Sequence, residues 1–462
     1  MFPPSALFLR RFFRMIHTFT AVGQPMVLDV GSGAVHAIDQ LAYDALQMWE
    51  ASQPDEIVAA LKDRYDEAEI REVIEELQEL EKMGQLNAPD NYDQVEMKKP
   101  GVVKAMCLHA AHDCNLRCKY CFASTGDFAM GKRCLLSYET GKAALDWLVA
   151  KSGKRVNLEV DFFGGEPLMN FDVVKQLVAY GRSLEAPMNK KFKFTITTNA
   201  LCLTDEIIDF LNKEMQNVVL SMDGRPEVHD RMRPTVNGKG SYELIAPKAK
   251  KLAQSRGDKE HYVRGTFTGY NKDFANDVIF LADEGFEQLS IEPVVTDPEC
   301  EYALKEEDVP QLLEEYEKLA KIYYERRKNG QWFNFFHFMI DLQGGPCLRK
   351  RLTGCGAGNE YVAVTPEGDI YPCHQFVGRE GYRMGSVLDG SFDESIQDVF
   401  AKNHVLNKEK CRECWARFFC SGGCAANAQA FHGDISKPYD MECQLERKRL
   451  ECAMALNALE RK

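Results

Sequence analysis

The sequence predicts an α/β protein built on an incomplete barrel of six parallel strands, and three observations support this fold class. Six strand-then-helix patterns follow one another between residues 105 and 335. Short alternating strands and three amphipathic helices occupy residues 1–90, and a cysteine-rich region occupies residues 336–462. The polar, breaker-containing stretch at 91–104 is typical of a linker. The chain is therefore expected to have three parts.

The first part combines strands and helices in the manner of a winged-helix-like module. Its alternating stretches "IHTFTAV", "PMVLDV" and "AVHAID" are separated by the turn signals "GQ" and "GSG". Three helical patterns follow, and the last places Ile70, Ile74, Leu77 and Leu80 at helical spacing. This helix carries eight acidic residues between positions 66 and 81, which would repel a phosphate backbone. A peptide is the expected partner, and a solvated supporting helix is the alternative.

The central part repeats a strand followed by a helix six times. The predicted strands are "KAMCLHA", "VNLEVDFF", "KFKFTITT", "NVVLSMD", "HYVRGTFT" and "QLSIEPVV". A helical pattern follows each strand, such as "SYETGKAALDWLVAK" after the first. Regular alternation of this kind builds a parallel sheet with helices outside it, and six units make an incomplete barrel.

Unusual motifs follow four of these strands directly. They are "CNLRCKYC" after the first strand, "GGEP" after the second, "TNA" after the third and "SMDG" at the end of the fourth. The carboxyl ends of parallel strands form the ligand-binding face of barrels and open sheets. The four motifs therefore predict one shared site.

The motif "CNLRCKYC" places Cys114, Cys118 and Cys121 on one loop. A free thiol has a pKa of about 8.5, so grouped cysteines are usually held as thiolates by a metal. Zinc is the ordinary candidate, but structural zinc takes four protein ligands, as a four-iron cluster normally does. Three cysteines would leave one coordination position for a small molecule.

This spacing, with Tyr120 before the last cysteine and "GGEP" after the next strand, resembles the radical S-adenosylmethionine superfamily. The resemblance implies that Cys114, Cys118 and Cys121 bind three irons of a 4Fe–4S cluster, and that S-adenosylmethionine chelates the fourth. It also implies cleavage of this cofactor to a 5′-deoxyadenosyl radical that takes a hydrogen atom from the substrate. The cofactor would perform the difficult step while the protein orients it.

Nine residues are expected to contact S-adenosylmethionine: Tyr120, Gly164, Gly165, Glu166, Thr198, Asn199, Ser221, Asp223 and Arg264. The two glycines of "GGEP" would let backbone carbonyls approach an ammonium, with the glutamate adding a carboxylate; a tight strand-to-helix turn is the alternative. The short polar side chains at strand ends suit ribose hydroxyls, although each is also typical of a turn or helix cap. The arginine would pair with the methionine carboxylate or with a structural one.

Eight cysteines of the last part form a second set of motifs. They lie in "CLRKRLTGC", at the end of the predicted hairpin "YVAVTPEGDIYPC", in "CRECWARFFCSGGC" and in "MEC". This pattern resembles the SPASM domain of peptide-modifying radical enzymes, which holds two auxiliary 4Fe–4S clusters. By that resemblance Cys347, Cys355, Cys373 and Cys424 bind the first cluster, and Cys411, Cys414, Cys420 and Cys443 bind the second. A zinc ribbon is the alternative for the "CREC" motif, and the five remaining cysteines, Cys134 among them, are expected to be structural or surface thiols.

The composition excludes several other classes of protein. The net charge of −13 argues against binding to nucleic acid or to an anionic membrane surface. No stretch resembles a membrane span, and basic residues follow the N-terminal apolar run instead of preceding it as in a secretory signal. Sixteen cysteines in 462 residues then favour metal binding over disulfides. A cytoplasmic protein is expected, with Met1 and Met15 both candidate starts.

The whole chain resembles maturases of ribosomally made peptides. The stretches "LHAAHDCNLRCKYCFASTGDF" and "SMDGRPEVHDRMRP" are most similar to the SCIFF maturases, which form thioethers in cysteine-rich peptides. The resemblance implies a precursor peptide whose leader adds a strand to the first part, and an electron donor such as flavodoxin or ferredoxin. The alternatives are a formylglycine-generating sulfatase activator, another epimerising or cross-linking radical enzyme, and a non-catalytic zinc-binding peptide adaptor.

Overall fold

The structure is a computed structural model that describes residues 16–90, 92, 101–342 and 348–461. Its strands are β1 (Ile16–Ala21), β2 (Gln24–Asp29), β3 (Val35–Ala37), β4 (Ala105–His112), β5 (Cys134–Leu135), β6 (Asn157–Gly164), β7 (Lys191–Thr198), β8 (Met215–Ser221), β9 (Glu260–Phe267), β10 (Gln288–Pro293), β11 (Asn334–Phe335), β12 (Tyr361–Val364), β13 (Asp369–Tyr371) and β14 (Gly385–Ser386). Its α-helices are α1 (Gln40–Leu46), α2 (Pro54–Leu61), α3 (Glu67–Lys82), α4 (Tyr138–Lys151), α5 (Phe171–Met188), α6 (Asp205–Glu214), α7 (Pro226–Met232), α8 (Tyr242–Ser255), α9 (Phe274–Asp283), α10 (Val309–Lys328), α11 (Leu348–Thr353), α12 (Glu394–Lys402), α13 (Glu409–Arg412), α14 (Arg417–Cys420), α15 (Ala425–His432) and α16 (Asp440–Glu460). The candidate start Met15 and most of the predicted linker lie outside the described residues.

The centre of the molecule is a parallel sheet in which β4, β6, β7, β8, β9 and β10 are neighbours in this order. These are the six strands that the sequence predicts, with α4, α5, α6, α8, α9 and α10 following them in turn. Alternation along each strand decides which side chains meet the helices: in β6, Leu158, Val160 and Phe162 are fully buried in that core. The predicted α/β fold with an incomplete barrel is confirmed.

The opposite faces of the same strands line the barrel interior with polar groups. Asp161 of β6, Arg264 of β9 and Glu292 of β10 alternate with the apolar residues of their strands. Thr195 of β7 donates a hydrogen bond of 2.8 Å to Asp161, and the Arg264 guanidinium is paired with Glu292. The interior is thus chemically different from the apolar layer under the helices.

The C-terminal hairpin joins the barrel sheet. β12 and β13 form the antiparallel hairpin that the sequence predicts, and β14 extends it. β12 also pairs in parallel with β4, from Tyr361 beside Ala105 to Val364 beside Leu108. The part predicted to begin at residue 336 therefore contributes strands to the barrel sheet. Local periodicity in the sequence identifies a strand but does not identify the strand that pairs with it.

The N-terminal sheet is antiparallel, in the order β1, β2, β3. One face packs against α1, α2 and α3, where Val27 contacts a cluster that includes Ile57, Ile70 and Leu77. Asp39 and Asp66 begin α1 and α3 by accepting hydrogen bonds from backbone N–H groups in the first turn. These are the strands and helices expected for the first part.

The other face of this sheet packs against the last helix of the chain. Phe19, Met26 and Leu28 form a cluster with Met454 and Ala455 of α16. Each large side chain buried in this way contributes about 1.5–3 kcal/mol. The first part therefore shares a core with the C-terminal helix.

The described residues contain no helix that is long and apolar enough to span a membrane.

Candidate functional site

The loop after β4 brings Cys114, Cys118 and Cys121 together at the carboxyl end of the sheet. Their sulfurs lie close enough for ionised thiols to repel one another. Burial raises the pKa of Cys114 to about 12 and the pKa of Cys118 to about 11. Both thiols therefore keep their protons at neutral pH unless a metal replaces them. This donor set is suited to a metal centre.

The chain after α7 supports this loop. Arg117 N–H donates to the Pro234 carbonyl over 2.8 Å, and Lys119 N–H donates to the Met232 carbonyl over 2.9 Å. Between these two partners lies Arg233, which is almost fully buried and opposes the effect of burial on the pKa of Cys118. Sequence reasoning missed Arg233 as a site residue, although it lies in the quoted stretch "SMDGRPEVHDRMRP".

Tyr120 and Asp223 bind each other instead of offering two free side chains. The Tyr120 hydroxyl donates to Asp223 Oδ2 over 2.6 Å, and Thr266 N–H donates to Asp223 Oδ1 over 3.0 Å. Arg233 Nε lies 3.1 Å from the same Oδ1. Asp223 is fully buried, so these contacts hold the cysteine loop against the end of β8.

The two glycines of "GGEP" allow the cysteine loop to approach the end of β6. A Cβ at Gly164, where φ is 122°, would lie 2.2 Å from the Ala111 carbonyl oxygen, and one at Gly165 would lie 2.0 Å from the Asp113 oxygen. Gly165 N–H donates to Ala111 over 2.7 Å, and Glu166 N–H donates to Asp113 over 2.9 Å. Close backbone packing thus accounts for both glycines, as in the tight turn that was the alternative, and their approach to an ammonium stays a prediction.

Glu166 is a buried carboxylate surrounded by neutral donors. Leu168 N–H and the Thr198 hydroxyl donate to Oε1 over 3.0 and 2.7 Å, and Asn199 N–H donates to Oε2 over 2.8 Å. Burial raises its pKa to about 7, against which these hydrogen bonds act. No lysine or arginine of the described ranges forms an ion pair with Glu166. A cationic ligand would supply the missing charge.

Asn199 and Ser221 complete the predicted set at the strand ends. Asn199 Nδ2 donates to Asn115 Oδ1 over 2.7 Å and lies 3.6 Å from Cys114 Sγ, so it links the "TNA" motif to the cysteine loop. Asn115 was not identified from the sequence. Ser221 is the last residue of β8 and lies beside Arg264 of β9 in register.

Arg264 points into the barrel interior with its side chain 52% exposed. The sequence left a cofactor carboxylate and a structural carboxylate as alternatives, and in the structure its partner is Glu292. Burial disfavours ionisation of Glu292, but Arg264 overcomes this effect and the pKa falls to about 2. Glu292 is therefore ionised at neutral pH, and neither residue was expected to have the other as its partner.

Four C-terminal cysteines surround one cavity of about 350 Å³: Cys411, Cys414, Cys420 and Cys443. Three come from the segment around α13 and α14, and the fourth comes from the first turn of α16. This is the same group that was predicted to bind the second auxiliary cluster. Four sulfurs around a common space fit a cubic cluster with four thiolate ligands.

Cys355, Cys373 and Cys424 form another group. Cys373 packs with Cys424 in a small core, and ionised Cys355 would repel both of their thiolates. Cys347, the fourth predicted ligand of this group, lies outside the described residues. Lys408 lies between the two groups, buried, with its Nζ donating to the Gly422 carbonyl over 2.7 Å. No sequence motif had indicated this cation.

Two family models match segments that carry seven of these cysteines. A model described as a 4Fe-4S single cluster domain matches residues 99–245, which include the loop after β4 and the "GGEP" motif. The SPASM model, described as an iron-sulfur cluster-binding domain, matches residues 355–415. The solved structure described as native anSMEcpe with bound AdoMet aligns with a TM-score of 0.65 at 22% identity, covering 78% of this chain and 100% of that one. The chain thus has the α/β partial-barrel fold of radical S-adenosylmethionine proteins, and residues 355–415 match the SPASM domain.

Two further proteins show how far this similarity extends. The cysteine-type anaerobic sulfatase-maturating enzyme of Clostridium novyi (strain NT) is 26% identical over 345 residues, which are 69% of this chain and 87% of the relative. The structure of Streptococcus suis SuiB bound to precursor peptide SuiA aligns with a TM-score of 0.50 at 15% identity, covering 92% of this chain and 97% of that chain. The likeness of fold to SuiB thus extends over nearly the whole chain.

The expected cofactors, S-adenosylmethionine and 4Fe–4S clusters, are confirmed. The described residues fit them in two respects. No cation from the described ranges lies beside the buried Glu166 carboxylate, and the cavity between α13, α14 and α16 is lined by four sulfurs.

Proposed function

We propose that the protein forms a thioether between a cysteine sulfur and a carbon of a ribosomally made, cysteine-rich precursor peptide. The observation that carries the proposal is the presence of two cysteine groups in addition to Cys114, Cys118 and Cys121, which lie at the carboxyl ends of the barrel strands, the barrel mouth. Replacing a C–H and an S–H bond by a C–S bond removes two electrons and two protons from the peptide. When bound, S-adenosylmethionine and the clusters would supply the radical that takes the hydrogen atom and an acceptor for the other electron.

Each cysteine group has its own proposed role. Cys114, Cys118 and Cys121 would hold the cluster that binds S-adenosylmethionine, because they lie at the carboxyl ends of the strands. The other two groups lie on the C-terminal side and would hold the two auxiliary clusters. Within the first auxiliary group, Cys355 is exposed while Cys373 is buried. A peptide sulfur would reach this group most directly from the side of Cys355.

The residues at the strand ends would bind the methionine and ribose parts of the cofactor. Glu166 would accept the ammonium, since its carboxylate is buried with neutral donors only. Asn199 is next to Cys114 and would orient the ligand where it meets the cluster. Asp223 is already bound by Tyr120 and Thr266, so it would offer the ribose a remaining lone pair on a fixed carboxylate.

The barrel interior would receive the peptide. Its charged pair, Arg264 and Glu292, is accessible from within the barrel and lies across from Asp161 of β6. Fixed polar groups of this kind orient a peptide backbone without reacting with it. An electron donor such as flavodoxin or ferredoxin would deliver the reducing electron.

The N-terminal sheet would bind the leader of the peptide by adding a strand at β3. The Ile38 N–H donates to the Pro25 carbonyl and Asp29 N–H donates to the Ala34 carbonyl, so the backbone groups of Val35 and Ala37 point away from β2. Unpaired groups at an edge strand are the usual template for such binding. Since α16 covers a face of the sheet and not this edge, the strand can be added without unpacking the core.

The main alternative is generation of formylglycine in a sulfatase. It is favoured by the 26% identity to a protein named as a sulfatase-maturating enzyme. The family matches favour an enzyme over a non-catalytic zinc-binding adaptor. Both enzymatic reactions oxidise a peptide, but they leave different products, since formylglycine formation removes the sulfur of a cysteine.

The test of function is the mass of a cysteine-rich precursor peptide after anaerobic reaction. A thioether lowers the peptide mass by two hydrogens for each link and leaves one thiol fewer for alkylation. Fragmentation then identifies the carbon that carries the sulfur. Loss of the sulfur would instead establish formylglycine, and an unchanged mass accompanied by inverted stereochemistry would establish an epimerase.

The test of leader binding is the pair of variants Ala37→Pro and Ala37→Ser in the full chain. Proline removes the outward N–H of β3 without removing a hydrogen bond to β2, whereas serine retains it. Leader affinity should fall only in the proline variant, while S-adenosylmethionine cleavage without peptide stays unchanged in both. Equal leader affinities in the two variants would exclude strand addition at this edge. Deleting residues 1–90 is a poorer test, because it uncovers the face of α16 around Met454 and Ala455.

A further inference from the structure

Three potential metal ligands meet where the cysteine loop begins and ends. His112 is the last residue of β4, Cys134 is the first residue of β5, and the two are paired directly in antiparallel register. Between them runs the whole loop of residues 113–133, which includes the three cysteines of the barrel mouth. The third residue, Glu367, lies in the turn between β12 and β13 of the C-terminal hairpin. These residues come from two distant parts of the chain and belong to none of the three cysteine groups.

The ligand atoms of His112, Cys134 and Glu367 lie within 4.8 Å of one another. Cys134 Sγ is 3.0 Å from Glu367 Oε1, and His112 Nδ1 is 3.9 Å from Glu367 Oε2. A zinc ion with bonds of about 2.0–2.3 Å separates its tetrahedral ligands by about 3.3–3.8 Å. Because no two of the three ligand atoms are more than 4.8 Å apart, shifts of at most about 1 Å would let them share one ion.

Two of these atoms are buried without a hydrogen-bond partner. They are His112 Nδ1 and Glu367 Oε2, which face each other across the gap. The His112 side chain is fully buried, so water cannot satisfy its nitrogen from outside. A buried, unpaired polar atom directed at a carboxylate oxygen is costly unless a cation lies between them.

We propose that His112, Cys134 and Glu367 bind one zinc ion. In this arrangement His112 Nε2–H donates to His109 Nδ1 over 2.9 Å. His112 Nδ1 then carries no proton, and its lone pair is directed at the metal. On binding, the Cys134 thiol releases its proton, and one thiolate, one carboxylate and one neutral imidazole balance the charge of Zn²⁺. Solvent supplies the fourth ligand, since the Glu367 side chain is 32% exposed. Mixed nitrogen, sulfur and oxygen ligands suit zinc better than magnesium or calcium.

The ion would hold the base of the cysteine loop against the C-terminal hairpin. The neighbouring pair of Asp113 and Arg133 already joins the two ends of the loop, but it does not reach β12 or β13. A metal shared with Glu367 would join the loop and the hairpin directly. Its role is therefore to position the loop, and it takes no part in the reaction.

Zinc binding is tested on the reconstituted full-length protein, treated with a chelating resin and then given zinc chloride alone. Wild type should retain about one zinc beyond its iron, and X-ray absorption at the zinc edge should show one sulfur among nitrogen and oxygen ligands. Cys134→Ala and Glu367→Gln should each weaken zinc binding by at least about 100-fold. Loss of a residue that only hydrogen-bonds to a metal ligand typically weakens binding by about 10- to 100-fold, so a larger loss identifies a direct ligand. The matched control is Cys300→Ala, a thiol outside every cysteine group, which should bind zinc like wild type.

The outcomes separate this site from the cluster sites. Zinc coordinated by three or four sulfurs would lie in an incomplete cluster site and would overturn the proposal, as would equal zinc retention in wild type and both ligand variants. Hydrogen exchange supplies a readout independent of activity. Zinc should slow exchange in residues 113–133 of wild type and of Cys300→Ala, but not of Glu367→Gln. Because both ligand variants alter partly exposed side chains, their folding is checked by iron content, which should equal that of wild type.

Discussion

Glu166→Gln removes the one buried negative charge that would face the ammonium of S-adenosylmethionine. In the ligand-free protein this carboxyl has a pKa of about 7, because burial outweighs its three hydrogen bonds. Below pH 7 it is mostly protonated, and a cation bound beside it would ionise it. Binding should therefore release a proton below pH 7 and release none from this group above it.

The size of the effect follows from this pKa. For one linked proton with a pKa of 7, affinity rises about 25-fold between pH 5.5 and pH 7.5. Folding stability of the ligand-free protein has the opposite trend. The folded pKa lies above the ordinary value of 4.5, so the contribution of Glu166 to stability is highest below pH 4.5 and declines until about pH 7. The difference of about 2.5 units corresponds to about 3 kcal/mol.

The assay is anaerobic calorimetric titration of S-adenosylmethionine into the reconstituted protein at several pH values and in two buffers. Wild type should show the 25-fold rise given by the single-proton relation. Glu166→Gln should bind S-adenosylmethionine more weakly than wild type at pH 7.5, and the part of the pH dependence of affinity that Glu166 causes should be lost. The amino group of the ligand titrates identically with both proteins, so its contribution cancels in the comparison. The NH2 group of the glutamine must face either the Leu168 N–H or the Asn199 N–H, and this contact between two donors costs about 1–3 kcal/mol at every pH.

A common pH slope for wild type and Glu166→Gln would refute the assignment of Glu166 to the ammonium. Melting temperatures of the ligand-free proteins provide the control for folding. If the reasoning from burial is correct, the variant should lose less stability than wild type between pH 5 and pH 8.

Two other substitutions test the surroundings of the clusters. Gly165→Ala should displace the start of the cysteine loop, because the added Cβ would lie 2.0 Å from a backbone oxygen. We expect a lower iron content at the barrel mouth and no S-adenosylmethionine cleavage. Normal cleavage would show that the loop can move aside. Lys408→Met removes a buried positive charge beside Cys411, Cys420 and Cys424. It should lower the midpoint potential of an auxiliary cluster by on the order of tens of millivolts, and unchanged potentials would show that Lys408 is neutral or screened.

The elements of the barrel could be predicted from the sequence because their signals are local. Apolar residues alternate along β6 and recur at helical spacing in the helices, so each strand-then-helix unit is visible within a short window. The position of the site followed from the same order, since parallel strands place their carboxyl ends on one face. The contact between Asn199 and Cys114 is the direct result.

Contacts between distant segments could not be predicted in this way. The pairing of β12 with β4 and the packing of Met454 on the N-terminal sheet depend on segments more than 250 residues apart. Periodicity says which side of a strand is apolar, but it does not say which partner covers it. For the same reason Arg233 was missed as the partner of Asp223, and Cys134 was treated as an isolated thiol although Glu367 is beside it.

The most direct test of the account is to measure iron content and S-adenosylmethionine cleavage in wild type and in a variant with Cys114, Cys118 and Cys121 all replaced by alanine. Wild type should contain about twelve irons if three 4Fe–4S clusters are complete, and the variant about eight, because the other cysteine groups are separate from this loop. Cleavage should be lost in the variant, while near-native melting behaviour shows that the fold is kept. Cleavage that persists without these three cysteines, or iron that disappears from all three sites together, would contradict the assignment of the radical chemistry to the barrel mouth.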